Sequence, residues 1–92
     1  GFNTTELAQS ELAAGLHQSD FTCRPQLVEK NANPEYYDLI EKFKSKTGIS
    51  GVLNTSFNIH GYPIVNDPED ALWTLKNSEL DAIQIGNFLG LN

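Results

Sequence analysis

Ile49-Ser50-Gly51-Val52-Leu53-Asn54-Thr55-Ser56-Phe57-Asn58 is an apolar run that stops at a cluster of polar side chains. This pattern predicts a short buried strand, Ile49 to Leu53, ending in a polar loop, Asn54 to Asn58. In open α/β sheets ligands collect beyond the carboxyl ends of strands. The Asn54 carboxamide carries two donors and two acceptor lone pairs, enough to read both edges of a small amide or carbamoyl group. Ser56 and the loop N–H groups offer donors to a phosphate. The same residues also suit a turn in which Asn, Thr and Ser bond their own backbone. The residues themselves leave both readings open.

Upstream of this stretch lies the clearest helix. Asn33 is placed to cap it, Pro34 fits its first position, and Glu35 complements the helix dipole. Tyr36, Ile40 and Phe43 recur at helical spacing, with Tyr37 and Leu39 widening the face. Thr47-Gly48 supplies the stop. Further upstream, Phe21 to Glu29 reads as an extended segment or edge strand, because Pro25 removes a ladder donor. Thr4 to Leu16 reads as a helix with Asn3 as cap and Glu6 in a capping box.

Downstream, Gly61-Tyr62-Pro63 is a turn and Ile64-Val65 a short extended piece. Asp67-Pro68-Glu69-Asp70 repeats the cap, proline and acid start of a helix. Ala71, Leu72 and Leu75 form its buried stripe, Trp73 lies at the margin, and the helix ends near Asn77-Ser78. Ala82 to Leu89 reads as one last strand, with Gly86 at a bulge or close approach. The expected fold class is α/β, helices packed on a small mixed sheet, with residues 1–92 as one unit.

The chain has 92 residues, 39% of them apolar, and a formal charge of −6. Such a charge argues against a general basic field for nucleic acid or anionic lipid. An anionic ligand therefore has to be held by local groups. Arg24 is the only arginine. A guanidinium fork matches phosphate bidentately, which makes Arg24 a candidate phosphate clamp. On an extended segment Thr22, Arg24 and Gln26 share one face. The plainer alternative is a surface strand with Arg24 paired to Asp20.

Other residues carry less. Lys42, Lys44 and Lys46 suit a solvated helix face. His17 and His60 have no second ligand at metal spacing, so no metal site is assigned. Asp67, Glu69 and Asp70 are accounted for by capping. No Walker loop or dinucleotide fingerprint is present, and no catalytic residue is assigned. The lone Cys23 excludes an internal disulfide framework and suits a reducing compartment. With no signal peptide or bilayer-length apolar run, the expected location is cytoplasmic and no membrane partner is expected.

Taken in order, the motifs resemble a known family. They are Asp20-Phe21-Thr22-Cys23-Arg24-Pro25-Gln26, Asn33-Pro34 with Tyr37 and Leu39-Ile40, Thr47-Gly48, and Leu53-Asn54-Thr55-Ser56-Phe57-Asn58. Gly61 with Pro63-Ile64-Val65, Pro68 with Asp70-Ala71, and Leu80-Asp81 with Gly86 complete the set. The chain resembles the C-terminal domain of the O-carbamoyltransferases of antibiotic and nodulation-factor biosynthesis, over about residues 18–90.

The resemblance implies a YrdC-like α/β fold that binds carbamoyl phosphate and ATP and makes a carbamoyl-adenylate. It also implies transfer of the carbamoyl group to a hydroxyl of a small molecule. The expected partner is a separate N-terminal carbamoyl-transfer domain that holds iron. Arg24 matches a family arginine that contacts phosphate. Asn54 and Ser56 match family residues that bind the carbamoyl phosphate or adenylate. Three positions depart from the family pattern: Gln18 stands where the family often has histidine, Tyr62 replaces a usual glutamate, and Gly90-Leu91-Asn92 lacks the usual basic residue. The iron-binding histidines and acids, the further arginines and the pocket lysine are not in these residues. The expectation is a C-terminal portion that is not catalytically complete alone. The rival reading is a non-catalytic ligand-binding or interaction module.

Overall fold

The computed structural model describes every residue, Gly1–Asn92. It contains three α-helices, one 3₁₀ turn and a two-stranded antiparallel sheet, a mixed α/β fold. The chain forms two compact units, Gly1–Asn54 and Thr55–Asn92.

In the first unit, α1 spans Glu6–Glu11 and a 3₁₀ turn follows at Ala13–Gly15. The helix is shorter than the expected Thr4 to Leu16. Its cap is Thr5, whose hydroxyl accepts the Ala8 N–H at 3.1 Å, and not Asn3. Leu12 leaves the helical region at φ −119°, and the chain tightens into the 3₁₀ turn before Leu16.

Beyond it, residues 17–22 form a loop closed by two backbone bonds. The His17 N–H donates to the Thr22 carbonyl and the Phe21 N–H to the His17 carbonyl, both at 2.8 Å. Phe21 sits at φ +56°, a left-handed conformation that costs an L-residue roughly 1–2 kcal/mol.

The expected edge strand from Phe21 to Glu29 does not form. Cys23 makes one antiparallel bridge with Phe2, their N–H and carbonyl groups exchanging bonds of 2.9 and 3.0 Å. Two residues later Pro25 has no N–H to carry the ladder on.

Helix α2, Pro34–Thr47, follows the sequence reading closely. The Asn33 side chain accepts the Tyr36 N–H at 3.2 Å. At the other end Gly48 adopts φ +78° and its N–H donates to the Lys44 carbonyl, a left-handed glycine cap. The lysines Lys44 and Lys46 lie in the last turn, where they complement the dipole.

The buried strand expected at Ile49 to Leu53 is absent. These residues belong to no strand, Val52 is 42% exposed and Leu53 is 64% exposed. A strand exists only through hydrogen bonds to a neighbour, and no strand pairs with this run.

In the second unit, α3 spans Pro68–Lys76 and begins where the sequence places it. The Asp67 carboxylate accepts the Asp70 N–H at 2.8 Å. The buried stripe is Ala71, Thr74 and Leu75, positions i, i+3 and i+4. Leu72 falls off that stripe and is 47% exposed, contrary to the expected pattern.

The single strand expected over Ala82 to Leu89 is instead a hairpin. β1, Ala82–Ile85, pairs with β2, Phe88–Leu91, in the register Ala82–Leu91 to Ile85–Phe88. Gly86 at φ +59° opens a two-residue loop with Asn87, the Gly-first arrangement of a type II′ turn. An isolated two-stranded hairpin is marginal in water. Here α3 packs on β1, and Ala71, Leu75 and Ile83 form the core with Val65 and Ile85 against it.

Candidate functional site

The polar loop is built around Asn58. Its carboxamide oxygen accepts the Ser56 hydroxyl at 2.6 Å. Its nitrogen donates to the carbonyls of Ile59 at 3.2 Å and Tyr62 at 3.1 Å. Two backbone bonds complete the closure, from the Tyr62 N–H to the Ile59 carbonyl and from the Val65 N–H to the Phe57 carbonyl, both 2.9 Å. The self-bonded turn weighed in the sequence is therefore real, but Asn58 makes it and Asn54 does not. A side chain that closes a turn holds the neighbouring hydroxyls in place.

Beside this loop lies a cavity of about 360 Å³. Thr55, Ser56, Phe57, Asn58 and Ile59 form one wall, and Thr74, Ser78, Glu79 and Leu80 form the other. The second wall is anchored by Asn92. Its amide nitrogen donates to the Leu80 carbonyl at 2.8 Å and to the Ser78 carbonyl at 3.3 Å. The Leu80 N–H in turn donates to the Ser78 hydroxyl at 3.3 Å. Hydroxyl and amide groups can orient a small polar ligand there. The lining contains one anion, Glu79, and no cation, so a phosphate in that cavity needs a positive group from elsewhere.

Of the three residues singled out in the sequence, Arg24 and Asn54 belong to the first unit and Ser56 to the second. Arg24 and Asn54 are exposed. Asp20, the surface partner considered for Arg24, is engaged by Thr22. The Thr22 N–H and hydroxyl both donate to its Oδ1, at 3.0 and 2.8 Å. The backbone bond first, and the hydroxyl bond second, hold the Asp20 carboxyl below the ordinary carboxylate range. The same-face arrangement of Thr22, Arg24 and Gln26 presupposed a strand, and that strand is not formed.

A second, smaller cavity of about 160 Å³ lies between the Tyr62-Pro63-Ile64 turn and α3. Tyr62 and Trp73 flank it with ring centroids 5.4 Å apart and planes tilted by 49°. Tyr62, one of the three departures noted in the sequence, packs its ring on Trp73. No group of three or more His, Cys, Asp or Glu side chains is arranged to hold a metal ion.

The family model described as carbamoyltransferase C-terminus matches residues 1–91. The chain belongs to this carbamoyltransferase C-terminus family. It is 47% identical over 79 residues to the protein MJ1058 of Methanocaldococcus jannaschii, which covers 86% of this chain and 13% of that protein. It is 38% identical over 82 residues to nodulation protein NolO of Bradyrhizobium diazoefficiens, covering 89% of this chain and 15% of NolO. To nodulation protein NolNO of Sinorhizobium fredii it is 35% identical over 82 residues, covering 89% and 12% respectively. The chain thus spans 12–15% of the length of these relatives. No solved structure matches it.

Asn58 and Asn92 are the residues that sequence reasoning passed over. Asn58 stood inside the quoted motif, and its distance of four positions from Tyr62 was the available signal. Asn92 carried none, because its partners lie 12 and 14 residues away.

Proposed function

We propose that this chain is the C-terminal part of a carbamoyltransferase that binds carbamoyl phosphate and ATP. It contributes to forming a carbamoyl-adenylate whose carbamoyl group passes to a hydroxyl of a small molecule. The observation that carries this reading is the match of the carbamoyltransferase C-terminus family to residues 1–91. In this proposal Arg24 clamps a phosphate, Asn54 orients the carbamoyl group, and Ser56 supplies a polar contact to a phosphate oxygen. The hydroxyl of Ser56 already donates to Asn58, so donation to phosphate requires it to rotate away from that bond. One arginine and one Asn–Ser loop do not neutralise a carbamoyl phosphate dianion together with ATP. The remaining cations come from the polypeptide that precedes this segment in carbamoyltransferases, as does any iron. The complete fold in that setting is YrdC-like, and the protein acts in the cytoplasm.

The exposed rings of Tyr62 and Trp73 favour a second reading, a non-catalytic ligand-binding or interaction module, since exposed aromatics are common anchors for partners. A titration of the ¹⁵N-labelled chain with carbamoyl phosphate separates the two. Shifts at the amides of Asn54 to Asn58, lost in Arg24→Ala, support the carbamoyltransferase reading. No shift at millimolar ligand rejects the assigned contacts for the isolated chain.

A further inference from the structure

Helix α2 has a well-formed apolar face that no other helix or strand covers: Tyr36 and Ile40 are half-buried, Leu39 and Phe43 exposed. At about 100° per residue, Tyr36, Leu39, Ile40 and Phe43 fall within one arc of roughly 100°. Asp38, Glu41, Lys42 and Ser45 occupy the opposite side. None of the helix's 14 residues is buried, Leu39 is 55% exposed and Phe43 39% exposed. The helix packs on no other helix or strand of its own unit. An isolated helix of this length is marginal in water, because most helical stability in proteins comes from burying an amphipathic face. Capping at both ends defines where this helix runs but does not supply that burial.

We propose that Tyr36, Leu39, Ile40 and Phe43 are a docking face for the polypeptide that precedes this segment in carbamoyltransferases. This rests on the chain being the C-terminal part of a longer enzyme. Two observations select that occupant. The chain matches a family described as a carbamoyltransferase C-terminus and spans only 12–15% of its relatives, so most of their length lies outside the matched segment. The rim of the face is also charged: Lys44 and Lys46 flank the stripe in the last turn of α2, in a chain whose formal charge is −6. The complementary surface is apolar at its centre and acidic where it meets the end of α2.

The test joins this chain to the Methanocaldococcus relative in place of that protein's matching 79-residue segment. Amide exchange across α2 is then compared in the joined protein and in the 92-residue chain alone. The expected result is exchange slower by about a hundredfold in the joined protein, reversed by Leu39→Asp with Phe43→Asp. Equal exchange in the two proteins overturns the proposal. So does protection in the isolated chain that rises with its concentration, which assigns the face to a second copy. The same double substitution in the isolated chain should leave its circular dichroism and urea midpoint unchanged, and a loss of folding there shows that the face is already packed within this chain. No ligand enters these measurements, so the interface and the carbamoyl phosphate contacts stand or fall separately.

Discussion

Asn58 and Asn54 lie four positions apart in one loop and do different work. Asn58 accepts one side-chain bond and donates two to backbone carbonyls. Asn54 is exposed, and the loop closes without it. Asn58→Ala is expected to cost about 1–3 kcal/mol and to speed amide exchange at Tyr62 and Val65, because two carbonyls and a hydroxyl lose their partner. Asn54→Ala should change stability by less than about 0.5 kcal/mol, as surface substitutions generally do. Urea denaturation of the two variants checks this contrast. If Asn54→Ala proves as destabilising as Asn58→Ala, its side chain is structural and cannot serve as a clean probe of binding. The sequence showed that this loop was polar and dense in donors. It did not show which asparagine closes the turn, because equivalent side chains are told apart only by where the backbone carbonyls point.

Among the elements, α2 and α3 were legible almost to the residue. Asn33-Pro34 and Asp67-Pro68 each start a helix with a side chain that accepts the N–H three positions on. That interaction is local and needs no partner beyond the helix itself. Asp67→Ala is expected to destabilise the second unit by about 1 kcal/mol, whereas Asp67→Ser should recover most of the loss. Thermal unfolding of the pair followed by far-ultraviolet circular dichroism measures both. An unchanged midpoint in Asp67→Ala would mean that the cap contributes nothing to this unit. The strands were read less well. Gly86-Asn87 is a hairpin dipeptide, and reading Ala82 to Leu89 as one strand ran through it. At Phe21 to Glu29 and Ile49 to Leu53 the composition suits strands, yet apart from the single Phe2–Cys23 bridge no segment pairs with them.

Over the whole chain, apolar burial is uneven. The second unit has a small core, where Leu75 touches α3's own stripe and the hairpin, and a Cβ on Gly90 would meet Ile83 at 3.3 Å and Leu75 at 3.8 Å. Leu75→Ala is expected to cost about 2–5 kcal/mol, enough to unfold so small a unit, as the loss of dispersed hairpin amide resonances would report. The first unit has Leu16 as its buried apolar residue, while Phe2, Leu7, Leu27 and Leu53 are all more than half exposed. The sequence by itself determined the starts and stops of α2 and α3, the polar loop and the family, because caps, turns and ordered motifs are set by residues close along the chain. Tertiary structure alone decided that Ile49 to Leu53 stays unpaired, that the last strand folds back as a hairpin, and that no helix or strand packs on the apolar face of α2. Strand pairing and burial depend on which distant groups arrive opposite one another, and a local pattern of residues does not specify that.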